Sequence, residues 1–399
     1  MKTIYKSILF VAVVIVATLC NWSCDNKDNS TGTPYISYVR VTNPTSADSL
    51  LVAAGQGQLV AIVGGNLQTI KELWVNDLQA KLTPSFISNS SILVHMPDSL
   101  PSVVTDKMKL IFADGFTLLY DFHITINKPA IGIMDCEFVP EGEMATIHGS
   151  YFYLPVSVTF PGGVTVKGTA DETDNLTVST DNKIITVKVP KGAGSGQLIV
   201  TTNFGAQISD FWFRDNRNIL EGFDPSDGHD TGTDGTIVTN PGAGDPPLIS
   251  GPYTRIIKNM GDWDWTRVAL RYGGPSYEIP DEAILHPDQY FFKFEVCTTK
   301  PFSANGVRGY VTDPAVGSDT PDIFYEWKPP FDSQGIWQTV SIPFEDFASA
   351  LGSYFAPVLP DGYYFGFVYC EGGALDCDMS YDNFRIVPKT IPKPAGSDY

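Results

Sequence analysis

The chain repeats one plan twice, and this repeat restricts its fold more than any other feature. The first copy runs from Pro34 as PYISYV, VAIVGGNL, SILVHMP and KLIFADGFTLLYDFHI; the second runs from Pro129 as PAIGIM, ATIHGSYF, IITVKVP and QLIVTTNFGAQISDFWF. Each segment is short, alternates apolar with polar residues and stops at Gly, Pro or Asn, which is the period-two pattern of strands half buried in a core. Gly64 and Gly149, Pro97 and Pro190, and the pairs Asp121-Phe122 and Asp210-Phe211 recur at similar but unequal spacings, so the copies differ by insertions in loops. Such units of about 100 residues predict seven-strand sandwiches. From Tyr253 to Pro388 dense aromatic strands continue without a helical period, apart from FEDFASAL, where a turn of helix fits. The expected fold is therefore all-β: two tandem sandwiches over 34–128 and 129–217, then one larger jelly-roll-like sandwich over 218–392 and a tail over 393–399.

Composition excludes one class of partner. Among 399 residues, 26 Lys and Arg face 45 Asp and Glu, a formal charge of −19 that repels nucleic-acid phosphates instead of neutralising them. At the N-terminus, Lys2 and Lys6 precede ILFVAVVIVATL, 12 apolar residues where a membrane-spanning helix needs about 20. This reads as a signal-peptide core. The following NWSCDNKDN, with small Ser23 before Cys24, resembles the processing site of a bacterial lipoprotein; Cys20 competes but follows bulky Leu19. Asp25, Asn26, Lys27 and Asp28 resemble the surface-export signal of Bacteroidetes lipoproteins, and an ordinary solvated tether is the alternative. The expectation is a signal peptide over 1–23 and a tether over 24–33. A lipid on Cys24 would hold the chain in the outer membrane, facing the exterior.

The repeated units also resemble a family. Gly64-Gly65-Asn66-Leu67 and Gly149-Ser150-Tyr151-Phe152 are similar to the glycine-x-asparagine-phenylalanine turn of IPT/TIG immunoglobulin-like domains, the second copy carrying Tyr151 where asparagine is usual. The resemblance implies immunoglobulin-like spacers, with Trp74 and Trp212 as core or interdomain residues.

Binding chemistry concentrates further on. Written with period two, WTRVALRY puts Thr266, Val268, Leu270 and Tyr272 on a core face and Trp265, Arg267, Ala269 and Arg271 on the other, with Trp263 pointing the same way between Asp262 and Asp264. Pyranose rings stack their C–H faces on flat indoles, while their hydroxyls pair with carboxylate and guanidinium groups in the ring plane. A second stretch, IFYEWKPPF, places Tyr325 and Trp327 on one face as an aromatic platform, core packing being the alternative, and is ended by Pro329-Pro330. Trp337 is expected inside as the start of a buried strand, and DGYYFGFVYC as a central strand.

WDW, YEW followed by proline, WQTVSIPFEDF and the closing YDNFRIVP together resemble the C-terminal domain of Bacteroidetes surface glycan-binding proteins encoded in polysaccharide-utilisation loci. That resemblance implies a noncatalytic surface lipoprotein that captures polysaccharide, such as a mixed-linkage glucan or xyloglucan, beside a SusD-like lipoprotein and a TonB-dependent transporter. It carries Trp263, Trp265 and Trp327 over as stacking residues, with Tyr325, Arg267, Arg271 and Asp264 around them.

Other readings are weighed against this one. A glycoside hydrolase needs two carboxylates across a cleft, for which Asp262, Asp264, Glu295 and Glu326 are available. A protein-binding adhesin would use the same sandwiches. No cofactor is expected; a structural calcium would recruit Asp224 with Asp382 from a loop rich in Asp227, Asp230 and Asp234. Cys370 and Cys377, close in sequence, are the disulfide candidate, buried thiols being the alternative.

Overall fold

The structure is a computed structural model describing residues 32–46, 48–224, 232–271, 279–316, 323–360 and 362–389. Cys20, Cys24 and the acidic run behind it, Asp227, Asp230 and Tyr272 lie outside the described residues. The chain divides into two compact units, residues 1–127 and 128–399.

In the first unit, Tyr35–Val41, Leu59–Gly65 and Ser91–His95 form a three-stranded sheet. A four-stranded sheet orders Leu78–Ala80, Ile70–Val75, Lys107–Phe112 and Thr117–Asp121. Val39, Val60, Ile62, Leu73, Leu110 and Phe122 are buried together in its core. The motif glycine has a steric reason. A Cβ on Gly64 would lie 1.9 Å from the Tyr35 carbonyl oxygen, so only glycine lets the two strands approach. Asn66 then turns the chain through the left-handed region, φ 58°.

The second unit opens with the same device: a Cβ on Gly149 would sit 2.1 Å from the Ala130 carbonyl oxygen, and Tyr151 takes φ 61° in the place of Asn66. Two four-stranded sheets follow. One orders Ala130–Met134, Met144–Ser150, Ile184–Lys188 and Leu176–Val178, the other Val164–Gly168, Val156–Phe160, Gly196–Thr202 and Gly205–Phe213.

Beyond this lies the larger sandwich. Its first sheet runs Thr236–Val238, Tyr253–Met260, Leu375–Pro388, Tyr290–Thr298 and Gln338–Pro343, with Ile219–Glu221 pairing the long strand. Its second runs Thr266–Arg271, Tyr364–Tyr369, Val307–Thr312 and Tyr325–Trp327. Phe292, Phe294, Phe365, Phe367 and Phe384 fill the space between them. FEDFASAL forms a helix over Phe344–Leu351 that buries Phe344, Phe347 and Leu351 on one face, with Glu345 and Asp346 in its first turn where they favour the positive end of the dipole. YFGFVY, Tyr364–Tyr369, is a fully buried strand, as its aromatics on both faces require.

Within the second unit the two sandwiches share buried structure. Trp337 is buried as expected, its Nε1 donating to the Pro247 carbonyl at 2.8 Å and its ring meeting Tyr253 edge-on at 5.2 Å; both rings pack with the core of the smaller sandwich. Arg385, wholly buried, donates to Glu137 of the smaller sandwich and to Glu295 of the larger, each at 2.7 Å, and Lys293 donates to Glu137 at 2.6 Å. Two cations and two carboxylates thus neutralise one another out of water, where removing any member leaves an uncompensated charge.

Candidate functional site

The turn Gly261–Trp265 joins a strand of one sheet of the larger sandwich to a strand of the other, and its backbone is held from several sides. Trp263 N–H donates to the Glu371 carbonyl at 3.0 Å, Gly373 N–H donates to the Asp262 carboxylate at 2.6 Å, and Gly261 N–H donates to the Asp264 carboxylate at 3.0 Å. Trp263 itself sits at φ 62°. A bulky residue in the left-handed region costs roughly 1–2 kcal/mol and persists only where neighbours over-determine it. Yet its side chain is 60% exposed, and that of Trp265 is 42% exposed.

The two indoles keep different company. Around Trp263, Arg308 reaches across from the strand Val307–Thr312, its guanidinium 5.9 Å from the indole centroid and 4.0 Å from that of Phe324. Its Nε donates to the Glu371 carboxylate at 2.7 Å. Asn305 ties this corner together, accepting from the backbone N–H groups of Gly306 and Glu371 and donating to the Gly373 carbonyl. Gly306 leaves the room: a Cβ there would stand 2.9 Å from both the Glu326 and Glu371 side chains.

Trp265 instead lines a groove of about 630 Å³ with Asp234, Thr236, Asp245, Ile257 and Lys258. Arg267 clamps Asp234 here, through side-chain nitrogens at 2.6 and 3.0 Å and its backbone N–H at 2.7 Å. Partial burial pushes the Asp234 carboxyl up, but these bonds outweigh it and hold the group below the usual carboxylate range. Lys258 donates to Thr266 Oγ1 at 2.8 Å and lies 3.6 Å from Asp264, and Lys328 pairs with Glu326 at 2.7 Å. The surface around both indoles is thus polar, and each of its four cations, Arg308, Arg267, Lys258 and Lys328, already has a carboxylate beside it.

Several expectations are corrected. Trp327 is not a platform: it is 9% exposed and packs against Phe294, Phe302 and Phe331 at 5.0–5.5 Å. Tyr325 lies flat on Phe347 at 4.4 Å. The alternation in YEW is as expected, but its aromatic face is the core face, and the strand offers Glu326 to the outside. In WTRVALRY a bulge between Arg267 and Ala269 breaks the period, so Ala269 is fully buried instead of sharing the arginine face. Arg271 is turned to structural work, its Nε donating to the Leu220 carbonyl at 2.8 Å beside Glu221.

Cys370 and Cys377 are free thiols. Cys370 just follows the strand Tyr364–Tyr369 of one sheet while Cys377 lies on the long strand of the other, buried beside the Tyr369 hydroxyl, where burial pushes its thiol up to about 12. The calcium pair is not assembled either. Asp382 is wholly buried, accepting from Ser250 Oγ and the Asn383 backbone N–H at 2.8 Å each, and among the described residues no group of three or more His, Cys, Asp or Glu is placed to hold a metal ion. Asp224 follows the strand Ile219–Glu221. Of the four carboxylates considered for hydrolysis, Glu295 is fully buried against Arg385, and Asp262 and Asp264 shape the tryptophan turn.

Comparison with known proteins agrees with this architecture. A curated IPT/TIG domain-containing protein of Bacteroides ovatus is 24% identical over 227 residues, covering 53% of this chain and 46% of the relative, so the chain spans about half the length of that relative. The crystal structure of surface glycan-binding protein PbSGBP-B from Prevotella bryantii superposes with a TM-score of 0.61 at 23% identity, covering 90% of this chain and all of that one, and shows the same fold. The family model described as the surface glycan-binding protein B xyloglucan binding domain matches residues 213–388. Through those residues, the larger sandwich of this chain is similar to that domain.

Proposed function

We propose that the protein captures a neutral polysaccharide noncatalytically at the cell surface, with Trp263 and Trp265 as the stacking residues. The observation that carries this reading is Trp263: a large indole at positive φ, in a turn held by its own N–H on the Glu371 carbonyl and by the carboxylates of its neighbours Asp262 and Asp264, and left largely in water. Folding alone favours glycine at such a position and an apolar ring out of solvent. A ligand that stacks on the ring gives the strain a use.

The surrounding charge supports the ligand class. Four cations beside the indoles are already matched by carboxylates, so hydroxyls, not acidic groups, are what the surface can pair without opening an ion pair. A β-glucan such as xyloglucan or mixed-linkage glucan fits this chemistry. Asp264, Arg267 and Glu371 position the turn and its groove. The domain division at 34–128, 129–217 and 218–392 makes the two smaller sandwiches spacers. A lipid on Cys24 would tether them to the outer membrane beside a SusD-like lipoprotein and a TonB-dependent transporter. No described helix is long and apolar enough to cross a membrane.

Electrophoresis through gels containing xyloglucan, mixed-linkage glucan or an acidic polysaccharide tests the proposal. Retardation by a neutral glucan, with no new reducing ends after incubation, is expected. Sugar release lost on replacing Glu326 would indicate a hydrolase, and mobility unchanged in every gel would remove the glycan reading.

A further inference from the structure

We infer that the cleft between the second small sandwich and the larger one is a second saccharide site, seating a short stretch of a β-linked glucose chain apart from the tryptophan turn. The cleft has a volume of about 440 Å³, within the roughly 300–1,000 Å³ of small-ligand pockets. One wall comes from the smaller sandwich, with Ile133, Asp210 and Trp212; the other comes from the large sheet, with Phe291, Ser341 and Lys389. Register explains the second wall: Phe291 stands opposite Val387 and Pro343, and Lys293 opposite Ser341, so these side chains form adjacent rows on one face.

Three features point to a neutral, hydroxyl-bearing ring. Trp212 and Phe291 provide aromatic surface on opposite walls. The cations around them are spoken for: Lys293 by Glu137 at 2.6 Å, Lys389 by Glu345 at 2.8 Å, and Arg217, whose guanidinium lies 3.9 Å from the Trp212 ring centroid, by Asp215 at 2.7 Å. An anion would find no free partner among them. Finally, Trp212 Nε1 is shielded from water and has no hydrogen-bond acceptor among the described residues, a defect worth about 1–3 kcal/mol that a ligand hydroxyl would repair once the groups covering the nitrogen give way. Ile133, 63% exposed, supplies further apolar surface on the same wall. The choice of glucose chain rests on the polysaccharide reading above; the cleft itself does not.

The test uses the full mature chain labelled with 5-fluorotryptophan, each resonance assigned by single replacement, titrated with cellohexaose and with xyloglucan oligosaccharides. In the Trp263→Ala, Trp265→Ala double variant the Trp212 resonance should still shift saturably. Ser341→Trp, which fills the cleft, and Ile133→Arg, which narrows it from the other wall, should each weaken that response at least tenfold. A Trp212 resonance unmoved up to 10 mM, or a shift that survives both replacements, overturns the second site. Movement of Trp263 and Trp265 alone leaves the turn as the binding surface and removes the cleft; movement of Trp212 alone does the reverse; movement of none removes both for this ligand class.

Discussion

Trp263 and Trp327 belong to the same sandwich, and each lies in a short string of aromatic and acidic residues, yet they face opposite fates. Trp327 is sealed among five phenylalanine and tyrosine rings on a three-residue strand, whereas Trp263 stands in water on a turn that its own conformation strains. The difference shows that an aromatic side chain is assigned to core or surface by what faces its strand, not by its neighbours in sequence. It also separates stability from recognition, because one indole should hold the domain together and the other should hold a ligand.

The sharpest way to break this contrast is Trp327→Ala. Loss of the ring should cost about 3–5 kcal/mol in chemical denaturation, the range for a large buried aromatic; a loss below 1 kcal/mol would mean the core tolerates its absence and that the two tryptophans are not so different. Next in size, Trp263→Ala or Trp265→Ala should weaken glucan binding by about 1–3 kcal/mol by calorimetry while leaving the unfolding midpoint nearly unchanged. A finer comparison sets Trp263→Gly against Trp263→Ala. Both remove the stacking surface, but only glycine relieves the left-handed strain, so the glycine variant should be the more stable by about 1 kcal/mol. Equal stabilities would show that the turn is not strained.

The smallest effect concerns Asp382, where burial pushes the carboxyl well above the ordinary range. In that state the folded protein holds a proton that the unfolded chain releases, so this group favours folding below its unfolded pKa and loses that contribution as pH rises through the acid range. Asp382→Asn should keep the hydrogen bonds from Ser250 and Asn383 and flatten the pH dependence of stability. A curve as steep as wild type would assign the slope to other carboxylates.

The all-β architecture was legible because strand periodicity, glycines and prolines are local signals, and the repeated Gly64 and Gly149 motif records a contact that only a missing Cβ permits. The exposure of Trp263 and Trp265 was legible for a related reason: flanking acids make a buried WDW costly. Trp327 was not, since in YEW either face carries a plausible core residue and alternation alone cannot say which one meets the opposite sheet. Arg308, Asn305 and Glu371 also escaped notice. They reach the Trp263 corner from two segments far apart in the chain, and NGVRGY and YCEGG carry no motif to join them. The cysteine pair failed for the converse reason, because nearness in sequence hides the passage from one sheet to the other.

Arg385 has a mechanical consequence. Its guanidinium and the Lys293 ammonium, both on the larger sandwich, bond Glu137 of the smaller one where water cannot enter, so swivelling the two past each other would strip Glu137 of both cations at once. A polymer strand held at the tryptophan turn, as proposed, would therefore pull on both sandwiches together, with the tension carried back to Glu137.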